Sequence, residues 1–313
     1  MFALCVEASH ARGMGHLFRA LALTEEMERQ GADTLFIVND SPAARDVLRK
    51  RARPFEIAPL SETGWETEII QRHGVRTWIN DRLDTDMQHA RMVCDNGVRL
   101  VTFEDRGTGA ALADLNIVPI PLQDAEALQG KHVLSGLDYL VLDPAIANLR
   151  RRRTDLNSLV VSMGGSDTYG VTIAVMGALK ARSMAATIIL GPGFEHEAAL
   201  EEALDERFTV KRNVPSLAAE FAHHDLAITA GGVTPCEANA AGLPCMIIAT
   251  ELWEKRTGEI LAKTGGCLFA GYRDHIDFDL LDLLPPVAAM SQAALDHIPV
   301  DGADRIARAI LDL

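Results

Sequence analysis

Basic residues are scarce in this chain. Thirty lysines and arginines stand against 44 aspartates and glutamates, a formal charge of −14. A surface of that sign repels phosphate backbones, so nucleic-acid binding, which needs clustered positive charge, is disfavoured. The one dense basic run, Arg150 to Arg153, reads as a solvated linker. Cysteine chemistry is missing as well. Cys5, Cys94, Cys236, Cys245 and Cys267 are odd in number and scattered, and no Cys-x-x-Cys pair is present for zinc or disulfide exchange. They read as buried thiols in a reducing compartment. No basic segment precedes a long apolar stretch, so neither a signal peptide nor a membrane span is expected, and the cytoplasm is the expected location. Low-complexity tracts and short-period repeats are absent too.

What is present is 313 residues, 48% of them hydrophobic, enough for two cores. Short runs rich in Val, Ile and Leu alternate with longer amphipathic stretches, the pattern of parallel strands covered by helices on both faces. Strands are expected at Phe2 to Val6, Thr34 to Val38, Arg76 to Ile79, Leu100 to Phe103 and Asn116 to Pro119, with helices over His16 to Gln30 and Met87 to Asn96. The rhythm restarts with Ser158 to Met163, Ala186 to Leu190, Phe208 to Lys211, Leu226 to Thr229 and Cys245 to Ala249. The fold class expected is therefore α/β, two doubly wound Rossmann-like domains facing a cleft. The linker is expected near Asp143 to Thr154, where Asp143-Pro144 interrupts regular structure, giving domains of 1–147 and 148–313. The tail from Pro285 reads as helices, the last of them suited to packing back on the first domain.

Three glycine loops carry the candidate chemistry. Gly13-Met14-Gly15-His16-Leu17-Phe18-Arg19 falls where the first strand ends and the first helix begins. Glycines there let a ligand approach the backbone, and a helix N-terminus attracts anions. The same positive end favours a neutral His16 able to accept a proton, though by spacing alone His16 caps the helix equally well. A third glycine and a later acidic residue, which the dinucleotide fingerprint requires, are missing. The second loop, Ser162-Met163-Gly164-Gly165-Ser166-Asp167, lies at a strand end where open α/β sheets bind ligands, and Ser166 and Asp167 also suit helix capping. In the third, Thr229 to Glu237, the amides of Gly232, Val233 and Thr234 are placed to hold a diphosphate. Glu237 can accept both hydroxyls of a ribose, or serve only as a first-turn carboxylate. Asp81-Arg82 and Glu104-Asp105-Arg106 follow buried strands and are either ligand-facing residues or salt bridges. Asp84-Thr85-Asp86 reads as helix capping, and His223-His224 as a helix end, so no metal is assigned.

Taken together, these stretches resemble the nucleotide-sugar hydrolases of pseudaminic acid biosynthesis and the related spore-coat polysaccharide glycosyltransferase-like proteins. The match runs through Ala8-Ser9, Gly13 to His16, Arg19 and Ala22, Thr102 to Asp105, Ser162 to Asp167, Gly231 to Glu237 and Ala241 to Pro244. The resemblance implies a glycosyltransferase-B type fold, a UDP-sugar substrate, and neither metal nor cofactor. It makes His16 the residue that activates water at the anomeric carbon, releasing UDP and free sugar. Gly13, Gly15, Arg19, Asp81 and Asp105 become the substrate-binding set. Gly164, Gly165, Ser166, Asp167, Gly231, Gly232, Val233, Thr234, Glu237 and Glu254 become the nucleotide-binding set. There are three departures: Arg82-Leu83 stands where the hydrolases carry His-Tyr, Glu254 where they carry glutamine, and Asp143-Pro144-Ala145-Ile146 where they carry Arg-x-Glu-Phe. An inverting glycosyltransferase and a non-catalytic nucleotide-sugar binding protein are the rival expectations.

Overall fold

Runs such as Phe-Ala-Leu-Cys-Val and Cys-Met-Ile-Ile-Ala leave no polar face, so they are stable only as strands covered on both sides. The computed structural model describes residues 1–7, 14–120, 128–212 and 214–313. Two units emerge, Met1–Asp143 with Val300–Leu313, and Pro144–Pro299. The first runs β1 (Phe2–Val6), α1 (Gly15–Arg29), β2 (Thr34–Val38), α2 (Pro42–Lys50), β3 (Phe55–Ile57), α3 (Glu66–His73), β4 (Thr77–Asp81), α4 (Met87–Asp95), β5 (Arg99–Phe103), β6 (Leu115–Val118) and β7 (His132–Ser135). Its strands form one sheet in the order β3-β2-β1-β4-β5-β6-β7, parallel throughout.

The second unit runs β8 (Leu159–Ser162), α5 (Val171–Ala181), β9 (Ala186–Leu190), α6 (Glu197–Ala203), β10 (Phe208–Arg212), α7 (Leu217–Phe221), β11 (Leu226–Ala230), α8 (Thr234–Ala240), β12 (Cys245–Ala249), α9 (Glu254–Ala262), β13 (Cys267–Tyr272), β14 (His275–Ile276) and α10 (Val287–His297). Its sheet order, β10-β9-β8-β11-β12-β13-β14, repeats the first, with β14 alone antiparallel. Both orders are those of a doubly wound Rossmann-like domain. The closing helix α11 (Gly302–Leu311) belongs to the first unit, where Ile306, Ala307 and Ile310 join Leu17, Leu21 and Phe36 in one core. Its first residue has to be glycine, because a Cβ there would stand 2.1 Å from the Leu140 carbonyl oxygen.

The arginine run departs from the solvated linker expected of it. Arg150 donates to the carbonyls of Ala240, Leu295 and Ile298, and Arg151 to those of Ala222 and His224. Arg153 is fully buried and donates to the carbonyls of Phe221, Ala241, His224 and Arg151. The C-terminal ends of α7, α8 and α10 converge here, and their last carbonyls have no partners within their own helices. Guanidinium groups supply both the donors and the positive charge that helix C-termini favour. Burial, with help from the Arg151 charge, pushes the Arg153 pKa down to about 10.

All five cysteines are free; Cys94 is partly exposed and the others are buried. Among the described residues no helix is long and apolar enough to cross a membrane, and no cluster of His, Cys, Asp and Glu is arranged to hold a metal ion.

Candidate functional site

A doubly wound sheet opens a crevice at the carboxyl edge where the strand order reverses. In the first unit that point lies between β1 and β4, and in the second between β8 and β11. The first and third glycine loops follow β1 and β11, and the second follows β8. Asp81 is the last residue of β4 and sits in register with Val6 of β1.

His16 and Arg19 lie one turn apart at the start of α1 and both reach Asp81. His16 Nδ1 is 2.6 Å from Asp81 Oδ1, while Arg19 donates from Nε to Oδ2 at 2.8 Å and from Nη2 to Oδ1 at 2.6 Å. Arg19 Nη1 also donates to Glu104 Oε2 at 2.7 Å, and its guanidinium lies 5.2 Å from the Phe103 ring. Asp81 is 3% exposed, whereas the His16 side chain is 23% exposed. Burial alone raises the pKa of the Asp81 carboxyl. The charge and hydrogen bonds of Arg19, with the His16 ring, outweigh it and hold the group below the usual carboxylate range. Burial likewise opposes the Arg19 charge, and Asp81 and Glu104 overcome it, so the guanidinium stays above its ordinary value. An ionised carboxylate at 2.6 Å needs a donor, so Nδ1 of His16 carries the proton. In the neutral imidazole of that tautomer Nε2 is the nitrogen that holds the lone pair.

Two loops hold this network in place. Asp105 accepts from the amides of Thr85 at 3.0 Å and Gly107 at 2.8 Å and from the Thr85 hydroxyl, so its carboxylate joins the turn after β4 to the turn after β5. Gly107 is required there, since a Cβ would stand 2.2 Å from the Thr85 carbonyl oxygen. Leu83 (φ 69°) and Glu104 (φ 49°), one in each turn, adopt the left-handed region that non-glycine residues rarely occupy. Asp86 caps α4 by accepting from the His89 amide at 2.8 Å, as its capping pattern predicts. Gly15 faces open space, with nothing within 4 Å of a Cβ built on it, and Gly13 lies outside the described residues. Sequence reasoning gave Glu104 no role distinct from its neighbours. Its signal is position, the first residue past a buried strand at the crevice edge.

In the second unit Gly164 (φ 86°) turns the chain after β8, and the Gly165 carbonyl accepts from the Gly193 amide at 2.8 Å. A Cβ on Gly191 would stand 2.3 Å from the Gly165 carbonyl oxygen. The Gly191-Pro192-Gly193 turn after β9 is therefore part of the same construction, a part that sequence reasoning passed over although glycines flanking a proline at a strand end advertise it. Asp167 is buried and accepts from the Val171 and Thr172 amides at 2.9 Å each, which makes it the cap of α5. Ser166 is exposed and bonded to Thr168.

After β11, Gly231 packs so closely that a Cβ would stand 2.7 Å from Glu254 Cβ. Glu254 Oε2 accepts from the Thr250 amide at 2.7 Å, its hydroxyl at 2.9 Å and the Glu251 amide at 3.2 Å, while Oε1 faces Gly232. α8 begins with no side-chain cap from Val233, and Pro235 has no N–H, so the amides of Gly232, Val233 and Thr234 line a helix start that its own N-cap side chain leaves uncapped. Glu237 sits half-buried in the first turn behind them.

No protein-family model matches the chain. It is 23% identical over 292 residues to the spore coat polysaccharide biosynthesis protein SpsG of Bacillus subtilis, a match covering 88% of this chain and 85% of that one. An uncharacterized protein of Methanocaldococcus jannaschii is 22% identical over 267 residues, 79% of this chain and 55% of the other. Among solved structures, MurG of Acinetobacter baumannii matches with a TM-score of 0.73 at 13% identity, covering 100% of this chain and 99% of MurG. The spinosyn rhamnosyltransferase SpnG matches at 0.69 with 16% identity, and Anabaena HepE, solved with UDP, at 0.68 with 14%; both cover 100% of each chain. The fold is that of the glycosyltransferase-B enzymes.

Within that fold the first unit presents a proton acceptor backed by a buried anion, and the second presents a cluster of glycine turns with an uncapped helix start. The first arrangement suits removal of a proton from a nucleophile, and the second suits holding an anionic group.

Proposed function

We propose that this chain is an enzyme that binds a UDP-sugar and hydrolyses it at the anomeric carbon, with His16 as the general base, in the biosynthesis of a surface glycan. The observation that carries the reading is the 2.6 Å contact of His16 Nδ1 with the buried Asp81, which leaves Nε2 as the basic nitrogen. Water loses a proton to Nε2, its oxygen bonds to the anomeric carbon, and the bond from that carbon to the diphosphate oxygen breaks with its electron pair leaving on UDP. A single displacement of this kind inverts the configuration. In this reading Arg19, Asp81 and Glu104 orient the base and the sugar, and Asp105 orients them through Thr85.

The second unit takes the nucleotide, with the diphosphate on the amides of Gly232, Val233 and Thr234 and the ribose on Glu237. The UDP complex of HepE supports the choice of nucleotide, and the likeness to SpsG supports the pathway. The free, mostly buried thiols support a cytoplasmic location. Transfer to an acceptor hydroxyl instead of water is the second reading, favoured by the likeness in fold to solved glycosyltransferases. His16→Ala tests the chemistry. A positioned base contributes about 10²- to 10⁴-fold, so UDP release should fall by that factor while UDP still binds. Turnover near the wild-type rate would overturn the assignment.

A further inference from the structure

Glu66 and His89 are buried side chains of α3 and α4 that the chemistry above leaves unused. His89 Nδ1 donates to Glu66 Oε1 at 2.7 Å, and the Gly64 amide donates to Glu66 Oε2 at 2.6 Å. Burial raises the pKa of the Glu66 carboxyl, but these hydrogen bonds and the His89 charge outweigh it and hold the group below the usual carboxylate range. The indoles of Trp65 and Trp78 enclose the imidazole, with ring centroids 5.9 and 5.6 Å from it.

From His89 a line of hydrogen bonds with a fixed direction runs to the turns beside the base. Trp78 Nε1 can only donate, and it does so to Asn80 Oδ1 at 2.8 Å, which fixes the way the Asn80 amide is turned. His89 Nε2 faces the same oxygen at 3.3 Å, so a proton on each ring nitrogen satisfies both of its contacts. Asn80 Nδ2 donates to the Thr85 hydroxyl at 3.0 Å, and that hydroxyl gives its own proton to Asp105 Oδ2. Asn80, Thr85 and Asp105 are all buried, where water is a poor replacement for a lost bond.

Asn80 and Asp81 end β4 side by side and, by the alternation of a strand, face opposite sides of the sheet. Asn80 points toward His89, Asp81 toward His16 and Arg19. The two networks meet again at Asp105, next to Glu104. The turns after β4 and β5 are laced together there, the Arg106 amide donating to the Leu83 carbonyl at 2.9 Å and the Gly109 amide to the Thr85 carbonyl at 2.8 Å. Leu83 and Glu104 hold left-handed backbone in those same turns, a conformation that persists only where its surroundings enforce it.

We propose that His89, fixed by Glu66, is a positioning residue for the reaction. Through Asn80, Thr85 and Asp105 it sets the turn that follows Asp81 and the turn that carries Glu104, and with them the hold on Arg19 and the aim of His16. It touches no substrate. The proposal rests on the reading of His16 as base.

The test uses three variants of the full chain. Thr85→Val cuts the line while keeping the side-chain shape, and His89→Phe combined with Glu66→Gln removes its origin without leaving a buried charge unpaired. Val93→Ala, one turn beyond His89 in α4 and also buried, is the control for loss of packing alone. A misplacement of about 1 Å costs about a hundredfold in rate. Both cuts should therefore lower kcat for UDP release, on the best UDP-sugar of a panel, about 10- to 100-fold with UDP affinity unchanged, and ¹⁵N spectra should show His16 losing its single Nδ1-protonated form. Val93→Ala should lower the unfolding temperature while keeping kcat and the His16 spectrum. Wild-type kcat or an unchanged His16 spectrum in both cuts, or the same loss of kcat in Val93→Ala, overturns the proposal. A wild-type chain that releases no UDP would instead strike the hydrolase reading, and the His16 spectra of the variants would still decide the positioning.

Discussion

Asp81→Asn removes one charge from the centre of the first-unit network while preserving its shape. Asp81 accepts three hydrogen bonds, at 2.8 and 2.6 Å from Arg19 and 2.6 Å from His16, and is nearly inaccessible. An asparagine keeps one acceptor, which Arg19 will take. The remaining amide group is a donor and forces Nδ1 of His16 to accept, so the proton moves to Nε2 and the base is lost. The same tautomer inversion in a serine-protease triad lowers turnover by about 10⁴. A loss of about 10³- to 10⁴-fold in UDP release is therefore expected here, with UDP affinity on the second unit unchanged. Stability should fall less than the roughly 3–5 kcal/mol typical of a broken buried ion pair, because Glu104 still neutralises Arg19. Steady-state UDP release, calorimetry with UDP and ¹⁵N shifts of His16 read the three effects separately. An Asp81→Asn enzyme within about threefold of wild type, with Nδ1 of His16 still protonated, would refute the reasoning.

Arg153→Ala removes one donor each from the carbonyls of Phe221, His224, Ala241 and Arg151. The first three keep the His224 amide, Arg151 Nη2 and the Arg151 amide respectively, so with one group left unsatisfied the second unit should lose about 1–3 kcal/mol in denaturant melts. Gly191→Ala pushes against the Gly165 carbonyl and should lower UDP affinity in calorimetry at least tenfold without unfolding the chain. The pH dependence of stability has a fixed sign. Burial, aided by Lys211, holds His224 below its ordinary pKa, and among the described residues neither ring nitrogen has a partner. The unfolded chain thus binds the extra proton, stability is full above about pH 6.5 and declines below it, and His224→Phe should flatten that slope in thermal melts. Glu66, Asp81, Asp114 and Asp225 are held below the carboxylate range, so a second loss should begin as pH falls below about 4.

The fold class was legible because central strands of a parallel sheet are buried on both faces and read as unbroken apolar runs. β1, β2, β9 and β12 stand where those runs predict. The strands missed are at or near the edges. β3 is three half-exposed residues, β7 is largely exposed, β14 has two residues, and β13 contains Gly271 at φ 96° and a register shift against β12. None carries the buried period that sequence reading depends on. The arginine run misled for a different reason. Charge predicts solvation unless something pairs with it, and the three helix C-termini that meet Arg150 and Arg153 come from segments 68 to 148 residues away. The contacts between His16 and Asp81, 65 residues apart, and between Arg19 and Glu104, 85 apart, are likewise products of strand order. Local spacing shows that such residues are available, not that they meet.

The most direct test of the central claim follows the anomeric protons by NMR while the full chain acts on a panel of UDP-sugars. The account predicts that one member of the panel gives UDP together with a first-formed product, free sugar or glycoside, of inverted anomeric configuration, and that His16→Ala abolishes the signal while retaining UDP binding. A retained configuration, or equal rates in wild type and His16→Ala, would contradict it.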